Sequence, residues 1–228
     1  MGSDDLFRKR KARKAEELAR KFEQRASGKR FLIVCEGTKT EPQYFRELLG
    51  ELRVPPQRVK IAPNDGNSPD RVVAHALSLQ QEEVASGDGY DCIYCVFDRD
   101  KHTAFTPALQ QVKNRLASDM PLKAITSTPC FEFWLLLHFD FSDAPFHAAG
   151  KKSIGDQAIS KLKTKPGFAN YAKGTKGTYS LLKPKLPEAI KNAKKLRQVL
   201  GGQESQHDAN PWTNVDELVE ALLKWPDL

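Results

Sequence analysis

The sequence lacks any apolar run that approaches the roughly 20 residues needed to cross a bilayer. Its amino terminus is charged throughout, which is unlike a secretory signal peptide. Cysteine is scarce: the four present, Cys35, Cys92, Cys95 and Cys130, lie within or beside apolar runs. Cys92 and Cys95 have the spacing of half a zinc site, but no second pair completes it. We expect reduced, buried thiols in a cytoplasmic protein that has no membrane contact.

Three motifs of common nucleotide-binding and hydrolytic sites are also missing. The chain has no Gly-x-x-x-x-Gly-Lys-Ser/Thr segment and no Gly-x-Gly-x-x-Gly segment, the usual phosphate-binding loops. It has no Gly-x-Ser-x-Gly elbow, which carries the nucleophile of many serine hydrolases. These absences count against primase-like nucleotidyl transfer and against Ser-His-Asp hydrolysis.

Positive charge is in excess. Lys and Arg number 36 against 29 Asp and Glu, a formal net charge of +7, and the excess is concentrated at the two ends of the chain. Such a balance favours a polyanionic partner, most simply nucleic acid. With 39% apolar residues among 228, the chain can bury one sizeable core. One main domain is therefore expected.

Short apolar runs alternate with helix-like segments. Strands are predicted near residues 30–35, 59–62, 92–97 and 122–126, with helices between and after them. This alternation predicts an α/β fold with a mostly parallel sheet and helices on both faces. We divide the chain into an N-terminal basic helix (1–28), a core (29–145) and a helical, lysine-rich C-terminal appendage packed on that core (146–228).

Acids follow two of the buried strands. Glu36 comes directly after the first strand, and Asp98 and Asp100 follow the third. The carboxyl ends of parallel strands share one edge of the sheet, and Asp98 and Asp100 point to the same side of a strand. Three carboxylates that meet there repel one another unless a cation offsets the charge. Oxygen ligands favour Mg²⁺ or Mn²⁺.

Four motifs resemble the RloB family. They are the segment from Cys35 to Glu41 followed by Tyr44-Phe45, the segment from Phe97 to Asp100, the segment from Pro129 to Trp134, and a weaker echo from Asn210 to Val215. The resemblance covers about Arg30 to His138. It implies a Toprim-like fold, a place in bacterial anti-phage and restriction-associated loci, and a partner AAA/ABC-type ATPase encoded nearby.

The resemblance also implies roles for the acids. Glu36 takes the position of the Toprim glutamate, and Asp98 and Asp100 take that of the Asp-x-Asp pair, which together coordinate Mg²⁺. Glu36 is alternatively a general acid or base. Glu41 matches a second metal-binding glutamate of the overcoming-lysogenization-defect nucleases, although its spacing is one residue longer. A first-turn helix acid is the alternative for Glu41.

Glu132 is the one acid in an aromatic and leucine-rich segment. A buried carboxylate requires a partner, so Glu132 is a candidate catalytic residue, as a further ligand or as an acid that orients Lys or Arg. Its place near a helix start is the alternative explanation.

Lysines and arginines near these acids and in the appendage are candidates for contacting nucleic acid. Phe168, Tyr171 and Tyr179 are interspersed among the lysines of the appendage, where they would stack on bases or serve as core residues. The candidate basic contacts are Lys39, Arg99, Lys101, Lys173 and Lys176.

We therefore expect a metal-dependent nuclease that hydrolyses phosphodiester bonds of DNA or RNA, tRNA included, as an effector of anti-phage defence. A non-catalytic nucleic-acid-binding or regulatory module with the same fold is the alternative.

Overall fold

The computed structural model describes residues 10–11, 13–14, 29–64, 68–99, 103–116, 120–201 and 209–225. Strands and helices alternate along the first half of this part of the chain. The strands are β1 (Phe31–Cys35), β2 (Val59–Pro63), β3 (Cys92–Asp98), β4 (Leu122–Thr128) and β5 (Trp212–Thr213). The α-helices are α1 (Thr40–Glu51), α2 (Pro69–Ala85), α3 (Phe105–Leu116), α4 (Glu132–Leu136), α5 (Ile154–Leu162), α6 (Thr178–Leu182), α7 (Leu186–Val199) and α8 (Val215–Leu223), and a 3-10 helix spans Lys183–Lys185.

The five strands form one sheet in the order β2-β1-β3-β4-β5. The first four strands are parallel, and β5 runs antiparallel to β4. β1 and β3 are central, and both are apolar and almost fully buried, as strands covered on both faces must be. The predicted α/β architecture, mostly parallel and Toprim-like, is confirmed.

Each face of the sheet carries its own hydrophobic cluster. Alternate residues of β1 divide between them, with Ile33 in the larger cluster and Leu32 and Val34 in the smaller. Helices α2 and α3 cover the smaller cluster. Helices α1, α4, α7 and α8 cover the larger one, which also contains residues of α5 and α6. Because the larger cluster runs from Phe31 to Leu222, the C-terminal helices share the core of the sheet.

The C-terminal segment is helical, as predicted, and it also supplies β5, which the sequence analysis did not predict. Side chains extend the pairing of this short strand with β4. Asn214 accepts a hydrogen bond from the Thr126 N–H (2.7 Å) and donates one to the Ala124 carbonyl (3.1 Å). The Trp212 indole N–H donates to the Thr126 hydroxyl (2.9 Å). Strand β5 has only two residues, and it is held in place because the side chains of Trp212 and Asn214 also form hydrogen bonds with β4.

Several sequence predictions fall outside the described residues. The N-terminal helix is described only at residues 10–11 and 13–14, which are helical and exposed. Asp100 and Lys101 are not described.

All four cysteines are free thiols, with Cys95 in the smaller cluster and Cys92 packed against the larger. Within the described ranges, no helix combines the length and apolar character that a membrane span requires.

Candidate functional site

Glu36 links the ends of the two central strands. Its N–H continues the β1–β3 ladder by donating to the Val96 carbonyl (2.8 Å). Its carboxylate Oε2 accepts a hydrogen bond from the Asp98 N–H (3.0 Å). The strand end therefore holds the Glu36 carboxylate directly beside the backbone of Asp98, as the predicted sheet edge requires.

Asp98 and Arg99 leave β3 on opposite sides. Tyr94 and Val96 lie in the larger cluster, and strand alternation places Asp98 on that same face. The guanidinium carbon of Arg99 lies 5.7 Å from the ring centroid of Phe105, which belongs to the smaller cluster. The structure thus brings Asp98 toward α1 and α4 and directs Arg99 toward α3.

Glu41 reaches the site from the first turn of α1. It is 7% exposed, so its carboxylate is almost fully removed from bulk water. Gly37 makes room for it, because a Cβ atom at position 37 would lie 2.6 Å from Glu41 Oε1. Only glycine leaves the turn after β1 compatible with this carboxylate position.

These acids line one cavity of about 530 Å³ at the carboxyl edge of the sheet. Its walls come from the ends of β1 and β3, the first turn of α1, the segment that follows β4, the start of α5 and the loop before α6. The lining residues are Glu36, Gly37, Glu41, Asp98, Pro129, Cys130, Ser153, Gly155, Asp156, Ile159 and Lys173.

The acids of the cavity disturb one another's ionisation. Burial, assisted by the charges of Glu132 and Glu36, raises the pKa of Glu41 to about 7. Loss of solvent, together with the charges of Glu41, Glu132 and Glu36, raises the pKa of Asp98 well above its usual range. Like charges in a poorly solvated space favour protonation or a bound cation.

Glu132 lies behind the cavity wall. It is the first residue of α4 and is 1% exposed. Its Oε1 accepts a hydrogen bond from the Tyr171 hydroxyl (3.0 Å). Its charge raises the pKa values of Glu41 and Asp98, so it lies within electrostatic range of both. This position suits the predicted role of an acid that orients Lys or Arg better than that of a ligand reached from the cavity.

Of the predicted nucleic-acid contacts that the structure describes, Lys173 is the one that lines the cavity. Burial lowers its pKa, but the acids around it, led by Glu132, outweigh that effect and leave the pKa above its ordinary value. Lys39 and Lys176 are exposed on the adjoining loops.

The aromatic residues of the appendage are core residues. Phe168, Tyr171 and Tyr179 are each no more than 3% exposed. Phe168 packs edge-on against Phe139, and Tyr179 packs edge-on against Tyr44. The prediction that they stack on bases is therefore wrong, and the alternative explanation, that they serve the core, is confirmed.

The donor set of the cavity fits a hard divalent cation. Glu36, Glu41 and Asp98 offer carboxylate oxygens, the ligands that Mg²⁺ and Mn²⁺ prefer. Among the residues that the structure describes, no group of three or more His, Cys, Asp or Glu side chains is placed so that it could hold a metal ion as it stands. Asp100, the fourth predicted ligand, lies outside the described residues.

The start of α5 is a part of the site that the sequence analysis missed. Ser153 and Asp156 form a capping box, in which the Ser153 hydroxyl accepts from the Asp156 N–H (3.1 Å) and Asp156 accepts from the Ser153 N–H (2.9 Å). The Ser-x-x-Asp spacing was visible in the sequence as a helix start. Its location on the cavity wall depends on tertiary packing, which no local pattern reports.

Gly37→Ala tests how tightly the turn holds Glu41. Gly37 does not adopt a left-handed backbone, so alanine adds only the steric conflict with the Glu41 carboxylate. The conflict is with the end of the Glu41 side chain, which must rotate away, so we expect a loss of about 1 kcal/mol in the free energy of unfolding, measured by urea denaturation. Gly50→Ala is the matched control, because no atom lies within 4 Å of a Cβ built there. In helix α1 this control should be neutral or up to about 1 kcal/mol stabilising. Equal effects of the two substitutions would contradict the close contact.

The ionisation of Glu41 predicts a pH dependence of stability. Since its pKa is raised from 4.5 to about 7 in the folded protein, the folded state binds more protons than the unfolded state between these values. The metal-free protein should therefore lose stability as pH rises through this window, and Asp98, whose pKa is raised as well, adds to the decline. Glu41→Gln should flatten the decline, whereas Glu82→Gln, on the exposed side of α2, should preserve it. Thermal unfolding of the three proteins in EDTA measures the effect, and parallel curves would disprove it.

A family model described as RloB-like protein matches residues 31–222. The match extends past the segment that carried the resemblance in the sequence and includes β5 and most of α8. Searches of curated proteins and of solved structures found no significant match. Because the model covers most of the chain, the predicted family is confirmed: the chain belongs to the RloB-like family.

Proposed function

We propose that this protein is a nuclease that uses Mg²⁺ or Mn²⁺ to hydrolyse phosphodiester bonds of nucleic acid. The observation that carries the proposal is the cavity at the carboxyl edge of the sheet, which Glu36, Glu41 and Asp98 line together. Ligand sites of open parallel sheets form at this edge. Carboxylates gathered in a poorly solvated space form a site for a divalent cation rather than for an anion alone.

Each acid would have a separate task. Glu36, Glu41 and Asp98 would hold the ion, with Asp100 as a further candidate. When bound, a divalent ion polarises a phosphodiester and lowers the pKa of an attacking water. The hydrogen bond from the Asp98 N–H fixes one oxygen of Glu36, so its carboxylate has a defined orientation. Glu132 lies behind the ligands, where its charge acts on the cations of the site.

A second group of lysines supports nucleic acid as the substrate. Their ammonium groups lie over phenylalanine rings of the segment between α4 and α5. Lys185 lies 4.4 Å from the ring centroid of Phe139, and Lys195 lies 4.1 Å from that of Phe141. Cation–π contacts hold the charges near one segment, where they can attract a phosphate backbone. The lysines that stack in this way are Lys161, Lys165, Lys185 and Lys195.

A non-catalytic nucleic-acid-binding or regulatory module is the second candidate. It is favoured by the absence, within the described ranges, of three side chains closed around one point. Such a module would use the acids to dock nucleic acid through a cation and would leave the phosphodiester intact.

Cleavage assays separate the two functions. Plasmid DNA and total tRNA are incubated with the protein in Mg²⁺ or Mn²⁺, beside Glu36→Ala and Asp98→Ala. We expect cleavage by the unaltered protein and a decrease of about 100-fold or more for each variant, because each removes a proposed ligand. Glu188→Gln, on an exposed position of α7, should cleave normally. Cleavage that survives both cavity substitutions would reject the nuclease function. Failure of the unaltered protein to cleave any of the substrates would reject it as well.

We further propose that the nuclease is an effector of anti-phage defence and that an AAA/ABC-type ATPase holds it inactive until infection. The support is membership of the RloB-like family, together with what the sequence resemblance implies for its loci. Affinity purification of the tagged protein from its native host should recover such an ATPase. Recovery of none, before and during infection, would contradict this partner.

A further inference from the structure

Lys173 is an unusual member of the cavity wall. The other charged residues that line the cavity are acids, namely Glu36, Glu41, Asp98 and Asp156. Asp156 is engaged in the capping box of α5. Among the lining residues that the structure describes, the other three carboxylates therefore share the cavity with the ammonium group of Lys173.

Residues on both sides of Lys173 are hydrogen-bonded to the helices that carry the acids. Two residues before it, the Tyr171 hydroxyl donates to Glu132 of α4 (3.0 Å). One residue after it, the Gly174 N–H donates to the Thr40 hydroxyl of α1 (3.2 Å). Lys173 is thus held between Glu132 and the turn that precedes Glu41, although its side chain remains accessible from solvent.

Close packing restricts the loop further. Gly174 has a φ of +84°, and a Cβ atom there would lie 3.0 Å from the Cβ of Lys39. The loop closes on itself through Thr175, whose hydroxyl accepts from the Ala172 N–H (3.1 Å) and donates to the Ala172 carbonyl (2.6 Å). A left-handed glycine against a neighbouring chain fixes where the backbone passes.

The far end of the loop is attached to α1 as well. The Glu47 carboxylate accepts hydrogen bonds from the N–H groups of Gly177 (2.6 Å) and Tyr179 (2.9 Å). Gln43, one turn earlier, donates to the same carboxylate (2.9 Å). From residue 171 to residue 179 the loop therefore follows α1 and α4, which is the organisation of a positioned residue rather than of a lysine on a solvated loop.

Charge balance indicates what Lys173 does there. Among the described residues, four carboxylates line the cavity or act on Lys173 there, namely Glu36, Glu41, Asp98 and Glu132. One divalent cation and the ammonium group together offset three of these four negative charges. A second divalent ion would add positive charge beside Lys173 and be repelled by it. A phosphate group that enters the cavity would instead find both the ion and an ammonium donor carried by a loop that is bonded to α1.

We propose that Lys173 binds the phosphate group of the substrate in this cavity and takes the place that a second divalent ion would occupy, so that the site holds one ion. This inference rests on the nuclease function proposed above and assigns its phosphate-binding residue. The Lys173 ammonium donates hydrogen bonds to phosphate oxygens and stabilises the charge that builds on them during hydrolysis.

The proposal predicts effects of opposite sign on two ligands. Removing the positive charge of Lys173 should strengthen the binding of a cation. It should weaken the binding of a phosphodiester. For Lys173→Ala we expect Mn²⁺ affinity, measured by isothermal titration calorimetry, to rise about threefold to tenfold. We expect kcat for cleavage of the substrate that the unaltered protein cuts to fall about 100-fold. The unaltered protein should bind one Mn²⁺ at saturation.

Two further variants make the test specific. Lys173→Arg keeps the charge, so it should keep the original Mn²⁺ affinity and recover part of the lost kcat, even if Lys173→Ala folds poorly. Lys191→Ala removes a lysine that is 73% exposed and pairs with Glu188 on α7, and it should change neither measurement. A purely structural role for Lys173 would lower Mn²⁺ affinity and kcat together.

The outcomes also separate this inference from the nuclease function. Loss of cleavage in Glu36→Ala with normal cleavage in Lys173→Ala would overturn the inference alone. Two Mn²⁺ ions in the unaltered protein, or Mn²⁺ affinity that is unchanged or weaker in Lys173→Ala, would do the same. No cleavage by the unaltered protein would overturn the function and the inference together.

Discussion

The structure depends on carboxylates that are crowded into one partly buried cavity. Placing Glu41 and Asp98 beside Glu36 raises the free energy of the charged forms, as the raised pKa values of Glu41 and Asp98 show. Nearby groups lower the free energy of these charged carboxylates in different ways. The first turn of α1 offers its backbone dipole to Glu41. The Glu36 carboxylate accepts a hydrogen bond from the Asp98 N–H, and the Glu132 carboxylate accepts one from the Tyr171 hydroxyl. Lys173 adds a positive charge, which hydrogen bonds from neutral groups do not provide.

The C-terminal half of the chain is what keeps that charge in place. Arg197 of α7 forms two hydrogen bonds with the carboxylate of Asp216 in α8, at 2.7 and 2.6 Å, and Asp216 is fully buried. The same guanidinium donates to the Thr213 carbonyl of β5 (3.2 Å). A charge pair this buried is costly to break, because either partner alone would be left without compensation. The pair joins α7, α8 and the fifth strand of the sheet into one body.

Asparagine amides extend this attachment where regular pairing stops. Asn210 bonds to both the N–H and the carbonyl of Phe146, at 3.1 and 2.8 Å, as a paired strand residue would. Asn192 donates to the Leu137 carbonyl (2.9 Å) just beyond α4. These amides satisfy backbone groups that would otherwise be buried without partners. The segment between α4 and α5 is thereby fixed on both sides, and with it the approach to the cavity.

Local sequence patterns were sufficient to predict strands β1 to β4 and the position of Glu36 at the sheet edge. They were not sufficient to predict the cavity as a whole. β1 and β3 are apolar runs buried on both faces, so composition alone identifies them, and the acid after β1 marks the sheet edge. β5 has two residues, too few for any periodicity, and exists through side-chain bonds to β4. Lys173 was recognised only as part of a basic segment. The bond that brings its loop to Thr40 spans 134 residues, which no local pattern encodes.

The same separation along the chain makes the cavity a property of the completed fold. The acids that line it come from the end of β1, from α1, from β3 and from α5, and its lysine follows 132 residues after Glu41. An unfolded chain cannot gather these groups, so a divalent ion that binds them stabilises only the folded state. Crowded acids destabilise the metal-free protein at neutral pH, and the ion reverses that effect by favouring their charged forms. Binding of the proposed cation would therefore be linked to folding through the same carboxylates.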